Sequence, residues 1–204
     1  MSEKISNEKK EEIQKPSADE LRKELIRIQK KSEFRKTLKQ AIFAVLVAGA
    51  IAVLISSFFV TVLRISGNSM YPSLETGEIV LARNTEDFQV GEMIAFYYNN
   101  KVLVKRVIGS PGDWINIDEA GNVSINGNPI EEDYLVTKKS LEPTDIKFPY
   151  QVPENRYFVL GDNRSESIDS RSNSVGCVTK EQLIGKVFFR VYPFGRMGIL
   201  KTGK

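Results

Sequence analysis

The sequence predicts a mainly β, barrel-like domain carried on one amino-terminal transmembrane helix. Residues 40–63, QAIFAVLVAGAIAVLISSFFVTVL, form an uncharged apolar run. Beyond Arg64 the pattern changes to short apolar or alternating runs cut by Gly, Pro, Asn and Asp. The roughly 140 residues that carry this pattern are enough to bury one core.

Residues 1–39 read as a basic, cytosolic, partly helical segment. Residues 1–15 are dominated by Lys and Glu, which predicts disorder or weak helix. Ser17-Ala18-Asp19-Glu20, after Pro16, has the spacing of a capping box, and Leu21, Leu25 and Ile28 continue at helical intervals. At about 1.5 Å per residue the run 40–63 reaches about 36 Å, enough to cross a hydrocarbon core of about 30 Å with some tilt. It also exceeds the usual apolar region of a cleaved export signal. Arg27, Lys30, Lys31, Arg35, Lys36 and Lys39 crowd its entry, while Arg64 alone closely follows its exit. That asymmetry predicts a cytosolic amino end and an extracytoplasmic domain over 64–204.

Strands are expected at 78–82, 93–98, 102–108, 114–117, 123–125, 157–160 and 187–192. Ile115 and Ile117 face Val123 and Ile125 across a hairpin, and Asn126-Gly127 is a strong turn signal. No internal repeat is present.

Composition narrows the chemistry. With no histidine in 204 residues, Ser-His-Asp and Cys-His mechanisms and His-containing zinc sites are excluded. The single cysteine, Cys177, makes no internal disulfide and reads as a core residue. A net charge of +3, concentrated at the amino end, argues against a nucleic-acid groove.

A hydrolase without imidazole needs a hydroxyl nucleophile and another base, and neutral lysine serves. Two segments stand out: SGNSMYPSL at Ser66–Leu74 and KVLVKRVIGSPGD at Lys101–Asp113. Alternation places Lys105 on the face of Leu103 and Val107, where desolvation disfavours the ammonium. An unperturbed lysine is only about 0.04% neutral at pH 7, and lowering its pKa to about 7.5 costs about 4 kcal/mol. Taken alone, a lone lysine in a strand is more often a solubilising edge charge and a Gly-flanked serine in a loop more often a turn residue, and spacing does not overturn either reading.

With GDNRSESIDSR at Gly161–Arg171, three motifs stand in order behind the anchor, and the chain resembles bacterial type I signal peptidases, membrane-bound Ser-Lys proteases. The Gram-positive, single-span kind is the nearest pattern. The resemblance implies a signal-peptidase catalytic domain that cuts signal peptides, with small residues before the cut, from secretory preproteins. No metal or organic cofactor is implied, and membrane lipid is the other expected partner. It implies Ser69 as nucleophile, Lys105 as general base and Ser167 as a hydroxyl that orients the lysine. Asp169 and Arg171 match a structural ion pair that also engages Arg106, with Asp162 in the same cluster. Ile65, Met70, Leu74, Leu103 and Val104 match positions expected to line the substrate pockets, although core packing is an equally natural role for them. Where some members carry an oxyanion-binding serine, this chain has Gly67, which leaves the second oxyanion donor unassigned. A narrower Ser-Lys processing enzyme and a catalytically silent anchored scaffold are the rival readings. Oligomeric state is not legible in the sequence.

Overall fold

The computed structural model describes residues 17–85, 87–135, 139 and 141–203, so the expected disorder at 1–15 lies outside the described residues. The chain divides into two units after Leu54.

Helix α1 runs from Ala18 to Phe59. It starts where the capping box predicts: Glu20 N–H donates to Ser17 Oγ at 3.3 Å, and Ser17 N–H donates to Glu20 Oε2 at 2.9 Å. Every side chain over 18–54 is exposed, including Phe43, Val45, Leu46 and Leu54. A helix this apolar that packs on nothing within its own unit needs an apolar solvent, and by length and composition it can cross a membrane. The helix ends before the apolar run does. Residues 60–63 lie in strand β1 (Val60–Arg64), which pairs antiparallel with β2 (Ile79–Arg83) in the register Val60↔Arg83 to Arg64↔Ile79. The β-branched Val60-Thr61-Val62 sequence favours this extended pairing. Residues 40–59 still supply about 30 Å of apolar helix.

The second unit is built from β3 (Met93–Tyr98), β4 (Lys101–Gly109), β5 (Trp114–Ile117), β6 (Val123–Ile125), β7 (Asn128–Pro129), β8 (Tyr150–Gln151), β9 (Arg156–Leu160), β10 (Val178–Thr179), β11 (Leu183–Tyr192) and β12 (Gly198–Ile199). The larger sheet has the order β1-β2-β11-β3-β4-β9-β10, with β12 added to β11. Among the described residues its outer strands do not pair with each other, so no backbone ladder closes it into a barrel there. The smaller sheet, β7-β6-β5-β8, contains the expected hairpin with Ile115 opposite Ile125 and Ile117 opposite Val123. Asn126 and Gly127 both have positive φ, 52° and 81°, as a tight primed turn requires. Each strand read from the sequence is present, some one residue longer or shifted, and β11 begins four residues earlier than expected. The short β7, β8, β10 and β12 were not anticipated.

Two details of the larger sheet shape the site. Strand β4 pairs with β3 over Lys101–Arg106 but with β9 only from Arg106 onward, so among the described residues Lys101–Lys105 have one edge without a strand partner. Strand β1 likewise pairs on one side only. A core cluster of Ile65, Met70, Leu74, Val80, Ala82, Met93, Ala95 and Val187 lies beneath the segment joining β1 to β2. Cys177 is buried in a second cluster with Ile115, Ile117 and Phe158, as its core reading anticipated.

At the irregular junction of β11 with β3, Gly185 has φ +151°, and a Cβ there would fall 2.2 Å from the Arg83 carbonyl oxygen and 2.7 Å from its carbon. Backbone cannot yield as a flexible side chain can. Gly185→Ala is therefore expected to destabilise the domain by about 2–3 kcal/mol, lowering the thermal midpoint by roughly 5–10 °C in a calorimetric scan.

Candidate active site

Ser69 sits in the segment between β1 and β2, which is rooted at three apolar positions. Ile65, Met70 and Leu74 are buried, Leu74 completely. The ladder continues into the segment through Ile65 N–H to Glu78 O at 2.8 Å and Gly77 N–H to Ile65 O at 2.9 Å. A turn then runs through the nucleophile motif, with Tyr71 N–H on Asn68 O at 3.0 Å and Leu74 N–H on Met70 O at 2.8 Å. Gly67 permits the entry to this turn with φ +89°. Ser69 is thereby presented between exposed Asn68 and buried Met70.

Lys105 comes from the middle of β4, directly opposite Ile94 of β3. Its side chain is 2% exposed, and its Nζ lies 2.6 Å from Ser69 Oγ. Burial is the main influence on the amine and brings its pKa down to about 8. Asp169 and Asp162 oppose that shift, while Arg171 assists it. A neutral amine so placed can accept the serine proton. Ser69 N–H, for its part, donates to no acceptor among the described residues, so it is open to a developing oxyanion.

The sequence pattern of the family described as "Signal peptidase, peptidase S26" matches residues 38–192. The chain belongs to that family. Signal peptidase I S of Bacillus subtilis (strain 168) is 35% identical over 174 residues, covering 80% of this chain and 94% of the relative. Signal peptidase I of Bacillus amyloliquefaciens is 35% identical, covering 82% of this chain and 97% of the relative. Signal peptidase IB of Staphylococcus aureus (strain Mu50 / ATCC 700699) is 35% identical, covering 78% and 92%.

The family's third motif packs against the pair. Asn163 N–H donates to Ser69 O at 3.0 Å, tying the motif to the nucleophile segment. A Cβ on Gly161 would lie 2.2 Å from Ser167 Oγ and 2.5 Å from Ser69 O, so glycine alone allows this approach. Ser167 is buried here, but its hydroxyl makes no hydrogen bond among the described residues. The contact with the lysine amine expected from the resemblance is thus not formed in this structure. Ser167 is packed instead against Gly161.

The buried charges form two pairs where the resemblance implied one shared cluster. Asp169 binds Arg171 through Nε to Oδ1 and Nη2 to Oδ2, both 2.9 Å, and its Oδ2 also accepts Gly161 N–H at 3.0 Å. Arg106 does not join them. It clasps Asp162 through Nε at 2.8 Å and Nη2 at 2.6 Å, with Nη1 on Gly91 O at 2.6 Å. The separation follows from strand alternation, which turns Arg106 to the face opposite Lys105. A third buried pair, Arg164 with Glu132, was missed in the sequence. Glu131-Glu132-Asp133 reads as a solvated acidic turn, and only the place of Arg164 inside the third motif hinted at burial. Among the described residues no group of three or more His, Cys, Asp or Glu side chains is placed to hold a metal ion.

A groove of about 100 Å³ opens beside Ser69, between Leu63–Gly67 on one side and Val102–Val104 on the other. Ile65, Met70, Leu103 and Val104 line it. Leu74 does not, because the Met70–Leu74 turn points it down into the core. The groove runs along the two unpaired strand edges. Arg64 and Val102 line it without having been anticipated.

Burying the Lys105 amine has a stability consequence with a definite sign. The unfolded chain retains the ordinary lysine value near 10.5 while the folded amine titrates at about 8. Below pH 8 the fold therefore bears a full cost of about 3 kcal/mol, which fades as pH rises to 10.5 and the unfolded chain loses its extra proton. Lys105→Met should be more thermostable than the parent at pH 7. Thermal unfolding of both proteins should show the gap narrowing between pH 8 and 10.5.

Proposed function

We propose that this signal peptidase is a membrane-anchored serine endopeptidase that cuts signal peptides from secretory preproteins with Ser69 as nucleophile and Lys105 as general base. The observation that carries the assignment of roles is the 2.6 Å contact between a hydroxyl and an amine that burial has brought to a pKa of about 8. At pH 7 about a tenth of such an amine is neutral, against roughly 0.04% for a free lysine. Lys105 takes the proton of Ser69 as Oγ attacks the scissile carbonyl, and Ser69 N–H meets the oxyanion. The lysine ammonium then protonates the leaving amine, leaving an ester on Ser69. Once again neutral, Lys105 deprotonates water, which attacks that ester and returns the serine.

The groove supports an extended substrate. Its walls are strand edges without a strand partner among the described residues, so a peptide lying between β1 and β4 can pair with backbone on both sides. Its small volume, walled by Ile65, Met70, Leu103 and Val104, favours small side chains before the cut. The anchor confines enzyme and membrane-held substrate to one surface and raises their effective concentration. The basic entry to α1 supports a cytosolic amino end and an extracytoplasmic Ser69.

Cleavage of a preprotein by the detergent-solubilised chain should fall by at least about 10³-fold in Ser69→Ala and in Lys105→Ala. The rate of the parent should rise through a limb near pH 8. Equal rates in parent and variants, or a limb above 10, would sink the mechanism. In sealed right-side-out vesicles, added protease should digest the β domain and leave the amino end protected. Digestion of the amino end would reverse the orientation.

A further inference from the structure

The turn Glu132–Leu135, closed by Leu135 N–H on Glu132 O at 2.9 Å, lies outside all three sequence motifs, yet it touches both halves of the site. The ring of Tyr134 lies 4.0 Å from the guanidinium carbon of Arg106, the residue next to Lys105 on β4. Its hydroxyl donates to Glu132 Oε1 at 2.8 Å. The buried carboxylate of Glu132 in turn receives Arg164, whose Nε donates to Gly161 O at 3.1 Å. Gly161 leads into Asp162, which holds Arg106, and Asn163, which holds the carbonyl of Ser69. A closed circuit results: from the lysine strand through Arg106, Tyr134, Glu132 and Arg164 to the segment that grips the nucleophile.

Burying a carboxylate and a guanidinium together seldom adds stability over apolar residues of the same shape. What such a pair supplies is fixed geometry, and the 2.6 Å contact at Ser69 requires it. The Tyr134 hydroxyl is held protonated, because burial and then the Glu132 carboxylate push its pKa upward, so it remains a donor to Glu132. Arg106 and the Tyr134 ring together line a cavity of about 820 Å³.

We propose that Glu132 and Tyr134 are positioning residues for the Ser69–Lys105 pair, with the Tyr134 ring fixing the lysine strand through Arg106 and its hydroxyl fixing the serine side through Glu132 and Arg164. The proposal rests on the Ser-Lys reading above. The charged groups that act on Lys105 are Asp169, Asp162 and Arg171, and none is removed by substituting Tyr134.

The test uses the full chain in detergent, a preprotein substrate, and kcat, KM and the pH limb for Tyr134→Leu and Tyr134→Phe, with circular dichroism and thermal midpoints recorded alongside. Tyr134→Leu removes the ring that packs on Arg106 and loosens the grip of Arg106 on Asp162, whose carboxylate then favours the Lys105 ammonium more strongly. It should lower kcat by about tenfold at unchanged KM and move the limb upward from about 8. Tyr134→Phe keeps the ring and loses the link to Glu132, so its limb should stay in place while kcat falls by about threefold. A folded Tyr134→Leu with a lower midpoint but the parent kcat and limb overturns the proposal, because the turn would then serve stability alone. If Tyr134→Leu does not fold, Tyr134→Phe decides, and a parental kcat overturns the proposal. Cleavage that survives Ser69→Ala removes the Ser-Lys reading itself, an outcome distinguishable from failure of the clamp.

Discussion

An amine must be kept out of water beside a serine hydroxyl, and much of the domain is arranged around that need. Lysine resists this placement, since each unit by which its pKa falls costs about 1.4 kcal/mol of folding free energy at neutral pH. Strand β4 supplies the burial, with Ile94 opposite and Leu103 and Val107 on the same face. Burial alone would not suffice, because two aspartates lie close enough to favour the ammonium. Each of them is gripped by an arginine, Asp162 by Arg106 and Asp169 by Arg171. The pairs thus do more than brace backbone: they weaken the pull of the carboxylates on the lysine proton, and Arg171 adds a direct opposing push.

In the proposed mechanism Ser69 has a different requirement, exposure without mobility. Met70 and Leu74 anchor its segment in the core, and Asn163 fixes its carbonyl from the other side. Ser69 can then stand at the mouth of a groove while its position is set from below. The same segment forms one wall of that groove, so the pocket residues Ile65 and Met70 are also structural ones. The other wall is the part of β4 that β9 leaves unpaired. Unfinished pairing at these two edges is the feature on which the proposed peptide site rests.

Much of this was legible in the sequence. Capping at Ser17, the hairpin at Ile115–Ile125 and the long strands follow from local rules, namely capping geometry, alternation and turn chemistry, and they stand where those rules put them. The end of the helix was misread because Val60–Leu63 are as apolar as the span before them, and hydropathy cannot see that β2 waits to pair with them. Leu74, for which pocket and core readings were both open, is buried in the core. Its neighbour Met70 lines the groove, but one helical turn directs Leu74 inward. Glu132 and Tyr134 gave no signal, because an acidic turn resembles any solvated loop until Arg164 is seen to lie against it.

What the sequence determined by itself was chemical class and candidate identity. Absence of histidine removed the imidazole mechanisms, and strand alternation made Lys105 a plausible base. Whether Lys105 meets Ser69 depends on contacts between residues far apart in the chain, which no local pattern encodes. The tertiary structure decided that meeting, the 2.6 Å contact, the division of the buried charges into separate pairs, and a Ser167 hydroxyl packed against Gly161 rather than on the amine. The physical reason is common to all of them: a residue type fixes what a side chain can do, while burial and partner geometry, set by the whole fold, decide its protonation and its reach.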